Sequence, residues 1–79
     1  MKKNIFPAEL IRKACFYFRT VYNDGDRVRI WHTGWQYETE TIFRSAADLE
    51  NYICEHEKNL LEEFDFMEAP ELRELGLLW

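Results

Sequence analysis

The stretch RTVYNDGDRVRIWHTGWQYETETIF, residues 19–43, constrains the fold more than any other part of the chain. It holds two turn signals, Asn23-Asp24-Gly25 and Thr33-Gly34, each flanked by β-branched and aromatic residues that alternate with polar ones. Alternation with period two is the signature of a strand with one face buried, and Asn, Asp and Gly at its breaks supply the backbone freedom a hairpin needs. Gly25 is expected in the left-handed conformation of a three-residue loop, and Thr33-Gly34 as a tighter second turn. The residues predict an antiparallel three-stranded meander over about 14–22, 26–32 and 35–44.

Pairing across those turns sets Tyr22 opposite Asp26 and His32 opposite Trp35. One face then collects Phe16, Phe18, Tyr22, Val28, Ile30, His32, Trp35, Tyr37 and Phe43, with Thr20, Thr39 and Thr41 among them. The other collects Tyr17, Arg19, Val21, Arg27, Arg29, Trp31, Gln36, Glu38, Glu40 and Arg44. In this register Arg29 lies across from Glu38 and Arg27 from Glu40, pairs of opposite charge that support a sheet. A second reading competes at the first strand. Leu10, Ile11, Ala14, Cys15, Phe18, Val21 and Tyr22 fall at helical spacing, so a helix from Pro7 to Asn23 would leave a two-stranded hairpin. The dense β-formers of CFYFRTVY favour the strand, with a short helix from Pro7 stopping near Lys13.

The second long element is read from RSAADLENYICEHEKNLLEEF. Ser45 is placed to cap a helix, with Asp48 three residues on in a capping-box-like position. Leu49, Ile53, His56, Leu60 and Phe64 then form one apolar stripe, flanked by Tyr52, that should cover the sheet. Asp48, Glu55 and Glu62, seven residues apart, share the opposite stripe. Pro70 opens a last short helix that Gly76 would end, and Leu72, Leu75 and Leu77 are expected to finish the core. The fold class is α+β, one domain over residues 1–79.

A chain of 79 residues can bury only about 60–65% of the surface its unfolded form exposes, so its core must use large side chains, and thirteen aromatics supply them. Two cysteines, Cys15 and Cys54, are too few for a secreted disulfide scaffold. No apolar run follows the basic start MKKN, so neither a signal peptide nor a membrane span is expected, and the protein should be cytoplasmic. Cys15, His32, Cys54 and His56 are zinc-ligand types, but Cys54 and His56 point about 160° apart on a helix and no paired ligand spacing occurs. His56 is expected to be a core histidine bonded to a carbonyl or a tyrosine. There is no phosphate-binding glycine loop and no nucleophile elbow, so no cofactor, no metal and no enzymatic activity are predicted.

Charge gives the functional lead. The net charge is −5, yet residues 1–47 carry eight Lys/Arg against five Asp/Glu, net +3, while residues 48–79 carry two against ten, net −8. Acids concentrated on a rigid helix can meet an arginine-rich surface as nucleic-acid phosphates would. The expected function is therefore non-enzymatic binding to a basic, nucleic-acid-handling protein through Asp48, Glu55, Glu62, Glu63, Glu68 and Glu71, as an inhibitor or adaptor. In size and charge the chain resembles the compact acidic inhibitors that phages aim at host nucleic-acid enzymes, anti-CRISPR proteins among them, and that resemblance covers no motif. Two alternatives stand beside it. Tyr17, Arg19, Arg27, Arg29 and Trp31 could form a base-stacking, phosphate-holding sheet face. Leu78 and Trp79 could pack across the two-fold of a homodimer.

Overall fold

The computed structural model describes residues 4–79 as α1 (Ala8–Tyr17), β1 (Thr20–Asn23), β2 (Val28–Thr33), β3 (Glu38–Phe43), α2 (Ala46–Glu63) and α3 (Ala69–Glu74). The strands form an antiparallel meander in the order β1-β2-β3. It is the α+β architecture expected from the sequence, with the long helix on one face of the sheet and a short helix at each end.

The first segment lies between its two readings. Helix α1 runs four residues past Lys13, yet it stops at Tyr17, so the third strand survives. Burial decides the helical part. Ala14 is fully buried, and Leu10, Ile11, Tyr17 and Phe18 pack on the core, a three-and-four spacing that outweighs the β-propensity of Cys15-Phe16-Tyr17. Phe18 leaves the helix in extended conformation, its N–H donating to the Ala14 carbonyl at 2.8 Å. At the other end Pro7 is the N-cap rather than the first helical residue. Phe6 before it and Ile11 four positions into the helix both join the core, the arrangement of a hydrophobic staple.

Both hairpin registers differ from those expected. The β1–β2 loop has four residues, Asp24 to Arg27, closed by Asp24 N–H to the Arg27 carbonyl at 2.9 Å, and Tyr22 pairs with Arg29 instead of Asp26. Gly25 does take a positive φ of 95°. A slip of three residues is odd, so it exchanges the faces of β1: Val21 turns to the core and Tyr22 to solvent. The β2–β3 loop also has four residues, Gly34 to Tyr37, with Gly34 N–H donating to the Tyr37 carbonyl at 2.8 Å. Arg29 now pairs with Ile42, and Trp31 with Glu40. That slip of four is even, so Thr39, Thr41 and Phe43 keep the core face, whereas Trp35 and Tyr37 fall in the loop and are exposed. Phe16 is also exposed, in α1.

Helix α2 starts as expected, with Ser45 Oγ accepting from Asp48 N–H at 3.2 Å. Its Leu49 and Ile53 join Phe6, Ala14, Val28, Ile30 and Phe43 in one buried cluster, while His56, Leu60 and Phe64 extend the stripe half-buried. Beyond α3, Gly76 (φ 77°) donates to the Arg73 carbonyl and Leu77 N–H to the Leu72 carbonyl at 2.9 Å, a Schellman ending. The tail leucines divide differently from expectation. Leu72 is fully buried and Leu78 is 5% exposed, but Leu75 and Leu77 are 63% and 39% exposed. No helix among the described residues is long and apolar enough to cross a membrane.

Candidate interaction surfaces

Helix α2 buries one side against α1 and the sheet, which turns its other side outward. Asp48, Glu55 and Glu62 occupy that outward side at intervals of two turns, and all three are exposed. Glu63 closes α2, Glu68 caps α3 and Glu71 lies in the first turn of α3; these three are exposed as well. Among the described residues none of the six makes an ion pair or a side-chain hydrogen bond. The acid of α2 that is paired is Glu57, 3.8 Å from Lys13 of α1.

The arginines of the sheet are arranged in the opposite way. Arg29 Nε lies 2.7 Å from Asp24 Oδ2, its Nη2 3.4 Å from Oδ1, and its Nη1 3.7 Å from Glu40. Arg27 Nε reaches the same Asp24 oxygen at 3.4 Å. The Arg29 hydrogen bond, with Arg27 adding to it, holds the Asp24 carboxyl below the ordinary aspartate range. The Arg29 guanidinium stands 4.9 Å above the Tyr22 ring, which the slip of β1 brought to this face. Glu38 lies opposite Thr33 and not opposite Arg29, as the expected register had it, so the charge partners of the arginines are Asp24 and Glu40.

The aromatic half of that candidate face is not assembled. Trp31 is on the solvent side of the sheet, but Tyr17 is in the last turn of α1 on the helix side. There the Tyr17 hydroxyl accepts from Trp79 N–H at 2.9 Å, and its ring packs edge-on against Phe16 and His56. Burial pushes the Tyr17 phenol up. Arg19 is exposed between α1 and β1.

His56 sits half-buried between Tyr17 and Phe18, with ring centroids at 5.0 and 4.9 Å, and desolvation lowers its pKa. The histidine that bonds a tyrosine is His32, whose Nε2 lies 3.1 Å from the Tyr52 hydroxyl. Cys15 and Cys54 are free and exposed on separate helices, and among the described residues no three His, Cys, Asp or Glu gather in a metal-binding arrangement. One feature has no counterpart in the sequence reading: a groove of about 250 Å³ between α1 and α2, lined by Leu10, Ala46 and Ile53 together with Glu9, Glu50 and Glu57. Its residues come from two helices whose relative placement no local pattern specifies. The chain matches no protein-family model, and no curated protein or solved structure is significantly similar to it.

Proposed function

We propose that this chain is a non-enzymatic binding domain that docks the acidic α2–α3 side on a basic protein surface, as an inhibitor or adaptor of a nucleic-acid-handling partner. One observation carries the reading. Among the described residues the six acids are exposed with no internal cation, while Arg27 and Arg29, the cations of the sheet, are already held by Asp24 and Glu40. Unneutralised charge of one sign on a helix favours association with the opposite sign and speeds encounter. The two free, exposed thiols fit a reducing, cytoplasmic setting. Size and net charge like those of compact phage inhibitors of host nucleic-acid enzymes, anti-CRISPR proteins included, favour inhibition over adaptation.

The test is a comparative capture from a nucleic-acid-depleted lysate, with wild type, Glu55→Lys/Glu62→Lys and Arg27→Ala as baits of matched circular dichroism. The expected result is a basic protein retained by wild type and Arg27→Ala and lost by the charge-reversed bait. Its measured association rate should fall with salt for wild type and lose most of that dependence in the double variant. Retention of the same protein by all three baits, with equal on-rates at low and moderate salt, refutes the proposal.

A further inference from the structure

The groove between α1 and α2 is separate from the acidic stripe. On α2 its residues Ala46, Glu50, Ile53 and Glu57 recur at three- and four-residue spacing, whereas Asp48, Glu55 and Glu62 occupy the opposite side of the same helix. Pro7, Leu10, Ala46 and Ile53 give the groove its apolar surface, and Ile53, only 1% exposed, is its floor. The charged part of the lining is unbalanced: Glu9, Glu50 and Glu57 stand against Lys13, net −2. Lys13 and Glu57 hold each other at 3.8 Å. Glu9 and Glu50 are exposed, and among the described residues they make no ion pair and no side-chain hydrogen bond. Arg12 and Lys58, the other cations of the two helices, do not line the groove.

We infer that this groove is a docking site for an arginine side chain of a partner protein, with its aliphatic stem on Leu10, Ala46 and Ile53 and its guanidinium against Glu9 and Glu50. Size and charge together select that occupant. A groove of about 250 Å³ is smaller than the roughly 300–1,000 Å³ of drug-sized ligand pockets, so it suits one long side chain rather than a helix or a cofactor. A phosphate or an acidic peptide would be repelled by the two unpaired carboxylates. A purely apolar side chain would strip water from them and return no hydrogen bond. A cation on an apolar stem meets both requirements, since the stem covers the floor while the head stays at the charged rim.

Arginine fits better than lysine. Its planar head carries five donors, enough for two carboxylates, and it gives up water more readily than an ammonium does. Lys13 shows the same pairing within the chain, lining the groove and meeting its third carboxylate, Glu57. The inference uses none of the six acids of the proposed docking side, so either can fail without the other.

Amide chemical shifts of the full chain, titrated with capped Gly-Arg-Gly in about 0.15 M salt, test it. The comparison peptides are capped Gly-Lys-Gly and the citrulline peptide, which keeps the stem and shape but lacks the charge. The arginine peptide should give saturable shifts centred on Leu10, Ile53 and Cys54, with a Kd of roughly 1–10 mM, and citrulline should bind at least about fivefold more weakly. The Glu9→Gln/Glu50→Gln variant, with a wild-type far-UV spectrum, should lose about tenfold in affinity, whereas Glu55→Lys/Glu62→Lys should keep the groove shifts within about twofold. Citrulline or lysine binding as well as arginine overturns the inference. So do an unchanged affinity in the folded Glu9→Gln/Glu50→Gln variant, and arginine shifts confined to the Asp48–Glu62 side of α2 or absent at 50 times the expected protein concentration of about 1 mM.

Discussion

The last three leucines of the chain offer a sharp test of the packing, because they are chemically identical and differ only in where the fold places them. Leu78 is 5% exposed, Leu77 39% and Leu75 63%. Replacing a buried leucine by alanine removes its transfer free energy and leaves a cavity, about 2–5 kcal/mol in all. Leu78 is close to the chain's last described residue, where neighbours can relax into the space, so the lower half of that range, about 2–3 kcal/mol, is expected for Leu78→Ala. Leu77→Ala should cost about 1 kcal/mol from partial burial, and Leu75→Ala under about 0.5 kcal/mol. A domain of 79 residues has roughly 4–12 kcal/mol of stability to lose. One kcal/mol corresponds to about 4–8 °C in Tm at this size, so Leu78→Ala should lower Tm on the order of 10–20 °C and Leu75→Ala by no more than about 4 °C. Thermal melts by circular dichroism with urea titrations decide it. Equal losses at the three positions, or a larger loss at Leu75 than at Leu78, would refute the packing of the tail against α1 through Tyr17 and Trp79.

Two further outcomes follow from local geometry. Because burial lowers the His56 pKa below the ordinary histidine value of about 6.5, the unfolded chain takes up the proton first as pH falls; the stabilisation is full above that value and is lost as pH drops through the folded pKa. Wild type should therefore lose more unfolding free energy between about pH 7.5 and 5.5 than His56→Phe, and parallel losses would contradict the burial of that ring. The glycines Gly76 and Gly34 should fail for different reasons. Gly76→Ala has open space around it but a positive φ, costing about 1–2 kcal/mol, whereas at Gly34 an added Cβ would overlap the Tyr37 ring. Tyr37 is exposed and can swing aside, so the Gly34→Ala loss should vanish in a Tyr37→Ala background; persistence there would place the conflict in the backbone instead.

Elements that announce themselves by local chemistry were legible in the sequence. Ser45 and Asp48 mark the start of α2, the apolar stripe from Leu49 to Phe64 gives its buried side, and Gly25 and Gly76 mark positions that need positive φ. Register was not legible, and the reason is specific. Glu38 and Glu40 recur with the same period of two as Arg27 and Arg29, so any even slip of β3 again offers arginine–glutamate neighbours on the same face. The favourable pairing of Arg29 with Glu38 therefore carried no information about which even register forms. For β1 the ambiguity is greater: Thr-Val-Tyr-Asn is four residues long and has an apolar residue at both central positions, so either Val21 or Tyr22 can turn inward.

That ambiguity decides how much of the interaction surfaces could be foreseen. The acids of α2 depended only on the 3.6-residue period of a helix with a clear apolar side, and Asp48, Glu55 and Glu62 are on the exposed side where that period puts them. The sheet face depended on an odd or even slip and on where α1 ends. When β1 slipped by three and α1 ran to Tyr17, Tyr17 left the sheet and Tyr22 replaced it beside Arg29. The same two changes add a cation–π contact to the Asp24 clasp and leave Trp31 with Ile42 as the apolar part of the face. A face that reads in the sequence as basic and aromatic has, once folded, Arg27 and Arg29 clasped by Asp24 and Glu40, while the six acids of α2 and α3 stand exposed on the helix layer.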